Sequence, residues 1–151
     1  MFTGYVESPI GFIEVKATQS SLLSVLFVEE QQHSNENDIV KHFKQEIDAY
    51  FKGQLTYFTF PQLSGTPFQL QVWNELTHIP FGETSTYSEI AQVIERDKAV
   101  RAVGTAIGKN KLALVIPCHR VIGKNGTLTG FAWETWRKDW LLAHEKNHSQ
   151  L

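Results

Sequence analysis

The hydropathy pattern of this 151-residue chain changes near residue 60, and this change restricts its architecture more than any other feature of the sequence. Before it, three runs rich in β-branched and aromatic residues alternate with short turns, a pattern typical of a small antiparallel sheet. The runs are residues 2–6, 12–17 and 22–28. Apolar residues then recur at helical spacing from Ile39 to Phe51 and stop at Gly53, which predicts one helix packed on the sheet. Residues 57–60 are predicted to add one strand.

After a linker at residues 61–65, the patterns are helical and the helix starts are clearly marked. Capping boxes, in which a Thr and a Glu or Gln three residues later satisfy each other's backbone N–H groups, predict where two helices begin. They are Thr66 with Gln69 and Thr86 with Glu89. The first helix is predicted to end before Pro80, and Asp97 is the predicted N-cap of a third helix. We therefore predict an N-terminal lobe over residues 1–62 and a helical C-terminal lobe over residues 63–151.

The outer face of the third predicted helix is basic and otherwise carries small side chains. Its residues are Lys98, Arg101, Ala102, Thr105 and Lys109. They lie in residues 97–124, where six Lys and Arg against one Asp give +5, in a chain whose net charge is −2. A short helix, a tight break and such a second helix are typical of a helix-turn-helix that docks in a DNA groove. An ordinary αα-hairpin with a solvated face gives the same pattern. The predicted fold class is α+β, with antiparallel strands and a helix followed by a helical lobe.

Cys118 is the only cysteine, which excludes an internal disulfide and a cysteine-based zinc cluster. It follows an apolar run and Pro117, and it precedes His119 and Arg120. A lone cysteine is more often an inert buried residue than a nucleophile. Basic neighbours, however, increase the fraction of a thiol that is present as the nucleophilic thiolate.

A histidine that acts as a base needs a group to orient it, usually a carboxylate. Glu145 is the candidate because it closes the segment Leu141-Leu142-Ala143-His144-Glu145, whose leucines are predicted to be buried. A carboxylate beside a buried face needs a partner, and His119 is the proposed one. The alternative is that Glu145 is exposed at the end of the last helix.

Together these segments resemble the O6-alkylguanine-DNA alkyltransferase family. The resemblance covers roughly residues 66–146, in order and at family spacing. It rests on Ile-Pro-Cys-His-Arg-Val-Ile at 116–122, Arg-Ala-Val-Gly at 101–104, Leu-Leu-Ala-His-Glu at 141–145, and on Asn110, Tyr87 and the Phe81-Gly82 turn.

The resemblance implies direct-reversal DNA repair, in which the chain is a single-turnover methyltransferase. Cys118 takes the alkyl group from O6-alkylguanine, with O4-alkylthymine left open as a second substrate, after the nucleotide is flipped out of double-stranded DNA. Glu145 orients His119, and His119 takes the thiol proton through a water. Tyr87 donates toward the departing guanine ring. Asn110 joins the third helix to the Cys118 segment.

The resemblance also implies which residues meet DNA. Arg101 fills the space that the flipped nucleotide leaves, and the other basic and small residues of the third helix contact the duplex together with Arg120. The expected base pocket consists of Phe68, Tyr87, Val121, Phe131, Ala132 and Trp133. Family members often have Tyr-x-Gly-Gly where this chain reads Phe-Ala-Trp-Glu at 131–134. The bulkier side chains predict a narrower pocket that favours methyl over benzyl adducts.

We expect no cofactor and no metal, since the zinc ligands of some relatives have no cysteine counterparts here. We also expect a cytoplasmic monomer, because no apolar run approaches the ~18 residues of a membrane helix and no targeting segment is evident. Three other functions compete: a non-catalytic binder of alkylated DNA with the same fold, a cysteine hydrolase built from Cys118, His119 and Glu145, and a DNA-binding regulator.

Overall fold

A computed structural model describes residues 1–126 and 133–149 and confirms the α+β class. Its elements are β1 (Phe2–Ser8), β2 (Gly11–Ala17), β3 (Leu22–Val28), α1 (Asp38–Phe51), α2 (Pro67–Leu76), β4 (Ser85–Thr86), α3 (Tyr87–Val93), α4 (Val100–Gly108), a 3-10 turn (Cys118–Arg120), β5 (Val121–Ile122) and α5 (Thr135–His148). Contacts divide the chain into two compact units, the first comprising Met1–Gln62 and Lys111–Val115 and the second Leu63–Asn110 and Ile116–Leu151. None of the described helices is both long and apolar enough to cross a membrane.

The first unit is the predicted antiparallel sheet with one helix on it. The strands follow the order β1-β2-β3, and α1 packs mainly against β1. Asn37 caps α1 by accepting from the backbone N–H of Val40, and Val40 and Ile47 are fully buried with Val15 of β2. The alternation along the strands and the helical spacing of α1 therefore place their apolar faces in one core.

The strand predicted at residues 57–60 is wrong. Thr59 directs both its backbone N–H and its hydroxyl to the Glu46 carboxylate of α1, at 3.0 and 2.8 Å, instead of to a neighbouring strand. Local bonding to a side chain thus replaces the backbone ladder that a strand needs.

The first unit includes a segment from much later in the chain. Val25 of β3 donates to the carbonyl of Lys111 at 2.8 Å and accepts from the N–H of Ala113 at 2.9 Å. Leu112 forms a parallel bridge with Val25. Residues 111–115 therefore extend the first unit beyond the 1–62 lobe that the sequence predicts.

The second unit contains α2 to α5. Thr66 caps α2 with the predicted capping box, and Thr86 caps α3 by accepting from the N–H of Glu89. The predicted Asp97 cap of α4 is wrong: the first helical bond runs from the N–H of Val103 to the carbonyl of Ala99, so Ala99 is the N-cap and Asp97 lies in the preceding turn.

Two short parallel strands in this unit bring distant segments together. Ser85 pairs with Val121, and Thr86 pairs with Ile122. Because Thr86 caps α3 and Val121 follows the 3-10 turn, the start of α3 lies beside the turn that carries Cys118.

Candidate active site

Cys118 occupies the first position of the 3-10 turn and is 4% exposed. Its N–H donates to the carbonyl of Ile116 at 2.7 Å, and the N–H of Arg120 donates to the carbonyl of Pro117 at 3.0 Å. Asn110, two residues after α4, donates from Nδ2 to the Ile116 carbonyl at 3.1 Å, and its side chain also hydrogen-bonds the thiol. The end of α4 and the cysteine turn are therefore held together by Asn110.

His119 and Glu145 form a buried hydrogen-bonded pair. Nε2 of His119 lies 2.6 Å from Oε2 of Glu145, and both side chains are excluded from solvent. Glu145 reaches the turn because α5 buries the face that it shares with Leu141. The backbone N–H of Gly82 donates a further bond to Glu145 Oε1 at 3.2 Å. The alternative that Glu145 is exposed at the helix end is therefore wrong.

Arg120 belongs to the interior of this site, not to a DNA-facing surface. It is 5% exposed and donates from Nε and Nη2 to the two oxygens of Glu145, at 2.8 and 3.1 Å. Its Nη1 donates to the carbonyl of Ile79 at 2.8 Å, and its guanidinium lies 5.7 Å from the ring centre of Phe81. The expectation that Arg120 binds DNA is corrected, because its donors are directed at Glu145 and the Ile79 carbonyl.

The charges of this cluster determine which nitrogen of His119 is basic. Burial alone would raise the pKa of Glu145, but His119 and Arg120 hold that pKa well below its usual range. The ionised carboxylate only accepts hydrogen bonds, so Nε2 of His119 carries the proton toward it. Nδ1 is then the unprotonated nitrogen, and it has no hydrogen-bond partner among the described residues. Burial lowers the pKa of His119 despite Glu145, which keeps the ring neutral.

The thiol itself lies in a site that disfavours its anion. Burial raises the pKa of Cys118, while Asn110 and then Lys138 act in the opposite direction. Tyr87 at the start of α3 interacts with Cys118 electrostatically, and burial raises the pKa of its hydroxyl. Tyr87 is therefore a protonated hydroxyl close to the sulfur, as its expected role requires.

Lys138 is a site residue that the sequence reasoning missed. It is fully buried on α5, and burial lowers its pKa, while a thiolate at Cys118 would raise it. A signal was present, since Lys138, Leu141 and Glu145 recur at i, i+3 and i+7 and so share one helix face. The apolar pattern drew attention to the leucines instead.

The predicted basic face is exposed, but only part of it lies on α4. Arg101, Ala102 and Thr105 are exposed on the helix, and Val103, Ala106 and Ile107 are buried. Lys98 is exposed in the turn before α4, and Lys109 is exposed at its C-cap. The ring of Tyr87 lies behind this helix, within 3.8 Å of where a side chain at Gly104 would begin. The helix that carries part of the basic face is thus in contact with a residue of the cysteine site.

The expected pocket residues are only partly placed. Phe68, Tyr87 and Trp133 are half-buried, and Val121 is fully buried. Phe131 and Ala132 lie outside the described residues. Within the described part of the chain, no group of three or more His, Cys, Asp or Glu is arranged to hold a metal ion.

The fold and site define a small α+β protein with a buried cysteine backed by a histidine and a carboxylate. Residues 67–147 match the DNA binding domain of 6-O-methylguanine DNA methyltransferase, and residues 1–63 match its ribonuclease-like domain. The chain belongs to the 6-O-methylguanine DNA methyltransferase family.

Individual relatives cover nearly the whole chain. A probable methylated-DNA–protein-cysteine methyltransferase of Acanthamoeba polyphaga mimivirus is 44% identical, covering 96% of this chain and 97% of its own. The methylated-DNA–protein-cysteine methyltransferase of Methanosarcina mazei is 40% identical, with coverage of 98% and 99%. Among solved structures, a Mycobacterium tuberculosis O6-methylguanine methyltransferase superposes with a TM-score of 0.87 at 38% identity, covering 97% and 93% of the two chains.

Proposed function

We propose that this chain repairs double-stranded DNA by transferring the alkyl group of O6-alkylguanine to its own Cys118, once per molecule. The proposal rests on His119, which directly follows the single cysteine in the sequence. Its buried Nδ1 has no hydrogen-bond partner among the described residues, and its Nε2 lies 2.6 Å from Oε2 of Glu145. The names of the mimiviral and archaeal relatives support this activity. A Mycobacterium tuberculosis relative, 40% identical and with a TM-score of 0.86, has been solved in complex with DNA.

In the proposed step, the thiol proton passes to Nδ1 of His119, directly or through a water. The sulfur then attacks the alkyl carbon, a carbon–sulfur bond forms, and the bond from that carbon to O6 breaks. The electron pair of the broken bond stays on the guanine, and the protonated hydroxyl of Tyr87 donates toward the ring. Because the Cys118 sulfur is itself the acceptor of the alkyl group, the step needs no cofactor. The thioether product has no hydrolytic exit, so the step ends the activity of that molecule.

The exposed basic face at α4 is the proposed DNA surface. Lys98 and Lys109 meet phosphates, while Ala102 and Thr105 allow the backbone to approach the groove closely. Arg101 fills the stack after the modified nucleotide is turned out, because the alkyl carbon cannot meet a sulfur in line while its base is stacked and paired. Tyr87, which lies against α4 at Gly104 and interacts electrostatically with Cys118, links this surface to the site. We propose that one monomer suffices.

We propose further that the pocket favours methyl over benzyl adducts, because Trp133 and Glu134 replace the small residues common in the family. The measurement is a comparison of transfer rates from O6-methylguanine and O6-benzylguanine. Equal rates contradict this part of the proposal and leave the repair activity unaffected.

The repair activity is tested by mixing the protein with duplex DNA that carries a labelled O6-methyl group. We expect the label on the Cys118 peptide, at no more than one per molecule, and none in Cys118→Ser. Lys146→Met, an exposed change on α5, is the matched control and retains transfer. Binding without transfer favours the non-catalytic binder, and release of several methyl groups per molecule favours a hydrolase. Transfer that survives in Cys118→Ser contradicts the proposal.

A further inference from the structure

Lys138 is a charged side chain, 0% exposed, at the cysteine site of the second unit. It lies in the second turn of α5 (Thr135–His148), the helix that also supplies Glu145. An ammonium group removed from water costs free energy unless an anion or polar groups compensate it. Helix α5 packs against the turn that carries Cys118, and the two charges favour each other: the ammonium of Lys138 lowers the pKa of the thiol, and a thiolate raises the pKa of Lys138.

Helix α5 contributes charged side chains to both ends of the Cys118–Arg120 turn. Lys138, Leu141 and Glu145 share one buried face, and α5 packs against the 3-10 turn of Cys118–Arg120. Residues seven positions apart lie about 10 Å apart along a helix axis. The carboxylate of Glu145 therefore reaches His119 and Arg120, while the ammonium of Lys138 acts on the sulfur of Cys118.

The charges of the site show which group can balance the negative charge of a thiolate at Cys118. In the part of the chain that the structure describes, the titratable and charged groups that act on Cys118 or on its histidine are Tyr87, His119, Arg120, Lys138 and Glu145. Arg120 already neutralises Glu145 through two hydrogen bonds. Burial keeps His119 and Tyr87 uncharged near neutral pH. Among the described residues that act on the sulfur, Lys138 is then the positive group that can balance a thiolate at Cys118.

We propose that the Lys138 ammonium is the counter-ion of the Cys118 thiolate and stabilises the nucleophile in a site that is otherwise too apolar for an anion. Its importance for repair rests on the proposed function, but the ion pair does not. When the thiol ionises, the sulfur–hydrogen bond breaks, the electron pair stays on sulfur, and the proton goes to Nδ1 of His119 and then to solvent. Lys138 keeps its own protons throughout, so ionisation of the thiol lowers the net charge of the site from one positive charge to zero.

The first experiment titrates the thiolate by its ultraviolet absorbance in the absence of DNA. Because the chain has one cysteine, the same variant with Cys118→Ser gives a blank that removes every other contribution. In Lys138→Met, we expect the midpoint of the titration to rise by at least one pH unit, which lowers the thiolate fraction at least about tenfold at pH values well below both midpoints. Lys138→Arg keeps the charge and is expected to restore most of the shift. Lys146→Met, exposed on the same helix, is expected to leave the midpoint unchanged.

The second experiment measures the same coupling from the other side and needs only a nearly isosteric change. In Cys118→Ser no thiolate can form beside Lys138, and the interaction that raises the pKa of Lys138 is removed. That pKa, followed by NMR of the labelled side chain and assigned with Lys138→Arg, is therefore expected to fall. This measurement remains available if Lys138→Met does not fold.

An unchanged thiol midpoint in folded Lys138→Met, or an unchanged Lys138 pKa in Cys118→Ser, overturns the ion pair. Either result leaves transfer of a labelled methyl group to Cys118 untouched. Conversely, absence of transfer in the wild-type protein contradicts the repair activity and does not affect the two titrations, which contain no DNA.

Discussion

Arg120 shows how one residue connects the stability of this molecule to its proposed chemistry. It holds both oxygens of Glu145 while His119 shares one of them. Removing the guanidinium leaves a buried carboxylate with less compensation, so we expect Arg120→Met to lower the free energy of unfolding by about 3–5 kcal/mol. Urea denaturation measures this value.

The matched control for that change is an ion pair at the surface. Lys52 lies 2.8 Å from Asp48, and both side chains are more than half exposed. Lys52→Met is expected to cost less than about 1 kcal/mol. Equal losses in Arg120→Met and Lys52→Met contradict the view that Arg120 stabilises the buried carboxylate.

Glu145 makes the stability of the protein depend on acid pH. Its pKa in the folded protein lies below that in the unfolded chain, about 4.3. Its contribution is therefore complete above about pH 4.3 and is lost as the pH falls, since the unfolded chain takes up the proton first. We expect the stability difference between the wild type and Glu145→Gln, from urea denaturation, to shrink below that pH. A difference that stays constant down to strongly acid pH speaks against an ionised Glu145.

At the scale of elements, the turn before β4 depends on one glycine. Gly82 has φ +85°, its N–H donates to Glu145, and an added Cβ would lie 2.5 Å from Cβ of Ser149. We expect Gly82→Ala to destabilise the protein by more than the ~1–2 kcal/mol of left-handed backbone alone and to slow the proposed transfer. Thermal unfolding and the transfer rate measure the two effects.

Gly126→Ala is the control that measures the cost of left-handed backbone without a contact like the one to Ser149. The φ of Gly126, +76°, is similar, but an added Cβ would meet no atom of the described residues within 4 Å. Gly126→Ala is expected to cost only the backbone strain and to leave the transfer rate unchanged. If both variants lose the same stability, the contact with Ser149 is unimportant.

Elements were predictable where the signal is local. The Thr66 and Thr86 caps act on N–H groups three residues away, so the sequence alone locates them. The prediction at residues 57–60 failed because Thr59 bonds to Glu46 in a neighbouring helix, a contact that propensity does not contain. The prediction of Asp97 as the N-cap of α4 failed because the turns between α3 and α4 place the N-cap two residues later, at Ala99.

The site was predictable where sequence neighbours carry it. Cys118 and His119 are adjacent, and the buried leucine pointed to Glu145. Whether Arg120 faces solvent or Glu145 depends on how α5 packs against the turn. Local sequence patterns do not reveal such packing between distant segments. The burial of Lys138 also depends on this packing. It was missed because an isolated lysine on a helix is normally exposed.

At the scale of the whole molecule, the chain leaves its first unit at residue 62 and returns to it for residues 111–115. The returning residues lie between Asn110, which holds the cysteine turn, and Ile116, whose carbonyl Asn110 holds. The backbone bonds to Val25 thus belong to the same stretch of chain that leads into the site. The boundary that the sequence predicts, between residues 62 and 63, assigns this segment to the other lobe.

This return predicts that neither lobe is complete by itself. A fragment of residues 63–151 retains Leu112, Ala113, Leu114 and Val115, which are buried in the full chain, but lacks residues 1–62 of the unit to which they belong. A fragment of residues 1–62 leaves Val25 of β3 without its two backbone partners. We therefore expect each fragment to unfold at a lower temperature than the full chain and residues 63–151 to aggregate, as followed by circular dichroism and light scattering. Leu112→Ser in the full-length protein places a hydroxyl at the same buried position and is expected to destabilise it by about 2–5 kcal/mol. A fragment of residues 63–151 that remains monomeric and melts at the full-length temperature contradicts the dependence on the returning segment.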